Sequence, residues 1–265
     1  LFEARSSITA SPRITVITVC FNSAGTLADA LDSVASQDWP HVEHIVVDGG
    51  SNDGTLGVIA SHGRHVAKVV SEPDRGIYDA MNKGLALATG DYVGYLNADD
   101  MLADPGVLRR VASAAAATEP WAQAVYGDLV YVSYKDTSRV VRHWRSGAYG
   151  PSRLTFGWMP PHPTFYGSRE LLKQHGGFDT SLRIAADYDL MLRVLVAVKT
   201  PPVYLREVMV RMRTGGASNR SLRAMWRKSR EDLRVLRTHR IGGLFSLACK
   251  NLRKLPQFIS GRRLS

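Results

Sequence analysis

The sequence predicts an α/β protein: an open, mostly parallel, Rossmann-like sheet flanked by helices, followed by a basic helical extension. Three observations predict it. Short β-branched apolar runs alternate with single amphipathic segments in the first part of the chain, polar residues gather immediately after each run, and the excess positive charge is confined to the C-terminal end.

The first run, Arg13-Ile-Thr-Val-Ile-Thr-Val-Cys-Phe21, has strand length, and the turn Asn22-Ser-Ala-Gly25 leads into an amphipathic helix at 26–36. The unit recurs as His44-Ile-Val-Val-Asp48, the turn Gly49-Gly-Ser-Asn-Asp-Gly54 and a helix at 55–61. A third strand at 66–70 precedes a helix at 77–88, and a fourth follows at Tyr92-Val-Gly-Tyr-Leu96. Beyond Asp100 the texture becomes α+β. An Ala-rich helix at 106–117 leads to strands at 123–133 and 139–144, a Gly- and Pro-rich loop at 147–163, helices at 168–175 and 187–198, and a strand at 203–211. No repeat or linker interrupts this series, so a lead-in at 1–13 precedes one domain at 14–218, with halves at 14–104 and 105–218.

Composition narrows the function classes. With 265 residues, 45% hydrophobic and 22% charged, the chain is neither disordered, collagen-like nor a disulfide scaffold, and its two cysteines, Cys20 and Cys249, fit a reducing compartment. The longest apolar span, at 241–249, falls well short of the roughly 20 residues that cross a bilayer. Residues 1–220 balance 22 Lys and Arg against 22 Asp and Glu, whereas 221–265 hold 12 against 2. This is the pattern of a neutral domain with a cationic end.

Polar ligands of parallel sheets bind beyond the carboxyl ends of the strands. The residues there are Asn22, Asp48, Glu72-Pro-Asp-Arg-Gly76 and Asn97-Ala-Asp-Asp100. Asn97 and Asp99, two apart around Ala98 at a strand end, offer the oxygen ligands a hard divalent cation takes, with phosphates and water completing the shell, and Asp100 orients the turn. Asp48 is placed to accept from a base N–H in a pocket framed by Thr18, Phe21 and Asn22, where Gly49, Gly50 and Ser51 permit close backbone approach. Gly-x-Gly-x-x-Gly after the first strand and the P-loop are both missing, which excludes NAD and ATP-motor readings.

Four segments, Ile17-Thr-Val-Cys-Phe-Asn-Ser23, Val46-Val-Asp-Gly-Gly-Ser-Asn-Asp-Gly-Thr55, Glu72-Pro-Asp-Arg-Gly-Ile-Tyr-Asp-Ala-Met-Asn-Lys-Gly84 and Gly90-Asp-Tyr-Val-Gly-Tyr-Leu-Asn-Ala-Asp-Asp100, resemble the consecutive signatures of family 2 glycosyltransferases with the GT-A fold. The resemblance covers about residues 13–217 and is nearest to bacterial enzymes of polysaccharide and glycolipid synthesis. It implies inverting transfer from a UDP-, GDP- or dTDP-sugar to a glycan or lipid-linked acceptor, with Mn²⁺ or Mg²⁺. The 14–104 half would then bind the nucleotide sugar and the 105–218 half the acceptor. Asp48 matches the position that reads base or ribose, and Asn97 to Asp99 match the metal motif with Asn in place of its first Asp. Arg75, Asp79 and Asn82 match donor positions. Ala185-Ala-Asp-Tyr-Asp-Leu-Met-Leu-Arg193 resembles the segment carrying the base, which places Asp187 in that role, with Ala186 where relatives carry Glu. From its own surroundings Asp187 also reads as a helix N-cap. His162 sits where relatives often have a His at the diphosphate or acceptor, and Arg211, Arg213 and Ser218 belong to a loop suited to closing over a diphosphate.

From residue 221 onward, Leu222, Met225, Trp226, Leu233 and Leu236 recur at helical spacing among many cations. That pattern predicts peripheral binding of 221–265 to an anionic membrane surface at the cytoplasmic face, and the segment lacks a nucleic-acid-binding motif. A non-catalytic nucleotide-sugar-binding scaffold is the alternative suggested by Asn97 and Ala186.

Overall fold

Strand β1 (Ile14–Cys20) is buried along its whole length, because its β-branched side chains are covered on both faces of the sheet. It pairs in parallel with β2 (Val42–Asp48) and β4 (Tyr92–Asn97), and β2 pairs in parallel with β3 (Lys68–Ser71), whose alternating exposure marks the edge. The computed structural model describes residues 11–215 and 222–252. Helix α1 (Leu27–Ala35) buries Leu27, Ala30, Leu31 and Val34, the i, i+3, i+4, i+7 stripe of an amphipathic helix. Helix α2 (Thr55–His62) follows β2, and α3 (Ile77–Leu87) crosses β1 closely: a Cβ on Gly84 would stand 2.4 Å from Ile17 Cγ2.

The second half contains β5 (Asp100–Leu102), α4 (Val107–Ala116), β6 (Ala124–Val132), β7 (Val140–Trp144), α5 (Pro151–Thr155), β8 (Tyr166–Ser168), α6 (Arg169–Gln174), α7 (Ala186–Ala197) and β9 (Val203–Arg213). The sheet order is β3-β2-β1-β4-β8-β6-β9-β5, with β7 on β6. Its first four strands are parallel as the sequence predicts, whereas β8 runs antiparallel to β4 and β6, and β5 antiparallel to β9. Tyr166 of β8 fills the space that a side chain at Gly94 would occupy, three of its ring carbons lying within 2.8 Å of an ideal Cβ. Because β5 follows β4 almost directly yet pairs at the far end of the strand order, the sheet curls and the Asn97–Asp100 turn bridges its centre and its edge.

Two hydrophobic layers cover the sheet. One gathers Ile14, Val34, Leu108, Val111, Leu129 and Val210 beneath α1 and α4. The other gathers Met81, Leu85, Leu190 and Leu195 beneath α3 and α7, and it includes Val235 and Leu236 of α8 (Leu222–Thr238). The inner face of α8 therefore belongs to the core. Helix α9 (Leu244–Leu252) follows and packs on Gly157 (φ 71°), where a Cβ would stand 2.6–2.7 Å from Lys250.

Candidate active site

The carboxyl ends of β1 to β4 lie along one edge of the sheet, and the crevice outside that edge is where polar ligands of parallel sheets bind. After β1, Phe21 is 60% exposed and Asn22 adopts φ 49°. The Asn22 side chain accepts from Asn52 N (3.0 Å) while its backbone N–H donates to Ser51 Oγ (2.8 Å), so the loops after β1 and β2 are stitched together. Thr18 does not line the crevice. It is buried within β1, its hydroxyl 2.9 Å from His44 Nε2, and burial pushes His44 down to about 3, leaving a neutral imidazole under the floor.

Asp48 is likewise fully enclosed. One carboxylate oxygen accepts from Gly50 N (3.2 Å), Ser51 N (3.0 Å) and Ser71 Oγ (2.7 Å), and the other accepts from Ser51 Oγ. Burial alone would raise this carboxyl, but the hydrogen bonds from Ser51, Ser71 and Gly50 outweigh it and hold the group below the ordinary range. In this conformation both oxygens are engaged with the protein, so Asp48 shapes the loop at 49–53 instead of presenting an acceptor to a base. Gly50 (φ 82°) supplies the left-handed turn, and a Cβ on Gly49 would meet Asp74 Oδ2 at 2.4 Å, which keeps the two loop tips together.

At the rim, Arg75 pairs with Asp79 (3.0 Å), which also accepts from Arg75 N (3.1 Å). Asn82 is committed elsewhere: its amide donates to Phe178 O and accepts from Phe178 N, both at 2.8 Å, fastening α3 to the turn at 176–179.

Beyond β4, Asn97 Nδ2 donates to Asp100 Oδ2 (3.1 Å), which leaves Asn97 Oδ1 buried with no hydrogen-bond partner. Ala98 is buried, and Asp99 is partly exposed. Asp100 is fully buried, and burial together with the neighbouring Asp99 charge raises its carboxyl well above the usual range. An unpartnered amide oxygen and a carboxylate two residues apart form a donor set that a hard divalent cation can use with ligands from elsewhere. Among the described residues no group of three or more His, Cys, Asp and Glu side chains could hold a metal by itself.

The other candidate carboxylate is at the start of α7. Asp187 is partly exposed there, its Oδ1 accepting from Tyr188 N (2.7 Å) and standing 3.4 Å from Tyr78 Oη. It is not the N-cap: that position is Ala185, and the carboxylate of Glu231 on α8 accepts from the N–H groups of Arg183, Ile184 and Ala185. Tyr78 stacks on Phe178 (centroids 5.4 Å), and His162 and Tyr95 meet the same ring edge-on at 5.6 and 5.1 Å. This aromatic group joins the β4 side of the crevice to Asp187. Burial pushes His162 below its ordinary value, with the Asp187 charge opposing, so the imidazole is neutral near pH 7.

A family model for glycosyl transferase family 2 matches residues 15–185, well over half of the chain. The chain belongs to this family. The PGL/p-HBAD biosynthesis glycosyltransferase of Mycobacterium tuberculosis is 32% identical over 214 residues, covering 79% of this chain and 80% of that protein. Among solved structures, Staphylococcus aureus TarS superposes with a TM-score of 0.67 at 19% identity, over 96% of this chain and 44% of TarS. The mannosyltransferase PcManGT from Pyrobaculum calidifontis, solved with GDP-Man and Mn²⁺, gives 0.62 at 22% identity, over 96% of this chain and 74% of that one. The fold of this glycosyltransferase is thus GT-A, as its motifs imply.

Of the residues expected in a closing loop, Arg211 and Arg213 belong to β9. Arg213 is buried at the end of β9, where it donates to Asp99 O (3.0 Å) and pairs with Asp29. Arg211 donates to Thr137 O and lines a cavity of about 420 Å³ with Asp29, Asp32 and Asp104. Neither cation is held out over the crevice: Arg213 buttresses the metal-motif turn from behind. Ser218 lies outside the described residues. Sequence patterning missed Tyr78, Tyr95, Phe178 and Glu231. The two residues Tyr78 and Tyr95 lie inside the recognised motifs, so their positions were available, but nothing in the order of residues says that they meet.

Proposed function

We propose that this glycosyltransferase moves a sugar, with inversion, from a nucleotide-sugar donor to a hydroxyl of a glycan or lipid-linked acceptor in the synthesis of a cell-surface glycan. The observation that supports the reading is a chain of contacts from β4 to α7: Tyr95, two residues before Asn97, meets His162 and Phe178, Phe178 stacks on Tyr78, and Tyr78 Oη stands 3.4 Å from Asp187 Oδ1. The neighbours support the donor class: TarS is solved with UDP and with UDP-GlcNAc, and PcManGT with GDP-Man.

In this reading Asp187 takes the proton of the acceptor hydroxyl as its oxygen bonds to the anomeric carbon, and the bond from that carbon to the nucleoside diphosphate breaks on the opposite face. The Tyr78 hydroxyl, donating to Ile184 O at 2.7 Å, fixes the approach to α7, and neutral His162 lines the passage between donor and base. The loop ordered by Asp48, with exposed Gly50 and half-buried Ser51, frames the base together with exposed Phe21, and Arg75 and Asp79 stand at its rim. A divalent cation, Mn²⁺ or Mg²⁺, held by Asp99 and Asn97 Oδ1 would offset the charge collecting on the departing diphosphate.

The outer face of α8 supports an anionic membrane surface as the place of action. Arg227, Arg230, Arg234 and Arg237 are all exposed and form one stripe, and Trp226 is 66% exposed with the Arg230 guanidinium 5.5 Å from its ring centroid. Each cation near such a surface contributes about 1 kcal/mol. No described helix is long and apolar enough to cross a membrane.

The test is Asp187→Asn. The reading expects turnover to fall by about a hundredfold or more with donor affinity retained; turnover at the wild-type rate would remove Asp187 from the role.

A further inference from the structure

We infer that Glu231, on helix α8, is a positioning residue for the proposed base, an inference that rests on Asp187 being that base. Helix α7 (Ala186–Ala197) has Ala185 as its N-cap and no side-chain cap hydrogen bond, and backbone N–H groups at and just ahead of a helix start, which have no intrahelical partner, need one from elsewhere. The Glu231 carboxylate supplies them from 46–48 residues away, accepting from Arg183 N (3.3 Å), Ile184 N (2.8 Å) and Ala185 N (3.0 Å). From the other side Tyr78 Oη donates to Ile184 O (2.7 Å) and stands 3.4 Å from Asp187 Oδ1. The three residues leading to Asp187 are therefore gripped by their donors and their acceptor at once, and Asp187 follows after a single residue.

Glu231 is not what holds α8 in place. Val235 and Leu236 are buried in the shared core, His239 Nε2 lies 2.7 Å from Asp189 Oδ1, and Lys250 reaches Asp232 at 2.8 Å. Removing the Glu231 carboxylate leaves these anchors and releases the backbone that aims the base. A displacement of about 1 Å at a reacting group costs up to a hundredfold in rate.

The experiment uses the full chain and water as acceptor, following nucleoside diphosphate release from whichever UDP-, GDP- or dTDP-sugar binds, with donor affinity measured by calorimetry. Glu231→Ala is expected to lower kcat about ten- to a hundredfold with donor Kd within twofold of wild type. Glu231→Gln, which keeps one acceptor oxygen, is expected to lose only a few-fold, and it serves if the alanine variant fails to fold. In the Asp187→Asn background neither substitution should lower the residual rate further, because the residue acts through Asp187. An equal further loss in that background, or wild-type kcat in Glu231→Ala while Asp187→Asn is inactive, would overturn the inference. Full turnover in Asp187→Asn alone would instead refute the base assignment, and this inference with it.

Discussion

Replacing Asp48 by alanine separates two roles for a fully enclosed carboxylate at the crevice. It removes the acceptor for Gly50 N, Ser51 N and Ser71 Oγ, held at 3.2, 3.0 and 2.7 Å, and for Ser51 Oγ. Each buried donor left unsatisfied costs about 1–3 kcal/mol, and water entering the space offsets part of it, so a loss of about 3–5 kcal/mol is expected, a large share of the stability of a domain. Asp48→Asn keeps one acceptor oxygen and loses charge assistance, for about 1–2 kcal/mol. The wild-type carboxyl lies below its ordinary value near 3.8, so its contribution is present above that pH and disappears as pH falls through the lower folded value. Urea denaturation followed by tryptophan fluorescence at pH 7 and below pH 4 gives the energies, and calorimetry gives donor affinity. If Asp48→Ala abolished donor binding while costing less than about 1 kcal/mol of stability, the carboxylate would be reading the base directly and its loop-building role would be refuted.

Further expectations follow from other contacts. Arg213→Met keeps the packing of the stem but releases Asp99 O, so calorimetry in the presence of Mn²⁺ should give a donor affinity about tenfold weaker, with stability reduced by about 1.5–3 kcal/mol. Gly94→Ala forces a methyl against the Tyr166 ring and should destabilise by about 1–3 kcal/mol in urea without altering donor affinity in the folded fraction. Glu43 accepts from Thr15 Oγ1 (2.7 Å), Thr89 N and Thr89 Oγ1 (both 2.8 Å); burial raises its carboxyl, but these bonds and Lys68 lower it further, leaving it net below 4.5. Its stabilisation is therefore present above about pH 4.5 and lost as pH falls through the folded value, and Glu43→Gln should flatten that part of a melting-temperature profile.

The donor half of the fold was legible because each strand, turn and helix there carries its own local signal: β-branched runs, Gly and Asn turns, and the Leu27 to Val34 stripe. The short strands β5 and β8 were not, since three residues hold no periodicity and their pairing with Met212 and Val93 is set by the curl of the sheet. Among site residues, Asn97 closes β4, Asp99 lies in the turn that follows it, and Asp187 lies in the first turn of α7. Position in the chain did not disclose contacts: Asp48 turned out to be saturated by its own loop, Asn82 by Phe178, and Arg213 by Asp99 and Asp29. The basic segment shows the same limit. Counting its cations describes the outer face of α8, while Glu231, Val235 and Leu236 on the inner faces decide where the helix sits.

The most direct test of the crevice as a cation-assisted nucleotide-sugar site is calorimetric titration of UDP-, GDP- and dTDP-sugars into wild type and Asp99→Ala, each with Mn²⁺, Mg²⁺ or EDTA. One donor should bind wild type with Mn²⁺ or Mg²⁺ and lose at least tenfold in affinity both with EDTA and in Asp99→Ala. Equal affinity under all of these conditions, or binding of none of the donors, would contradict the account.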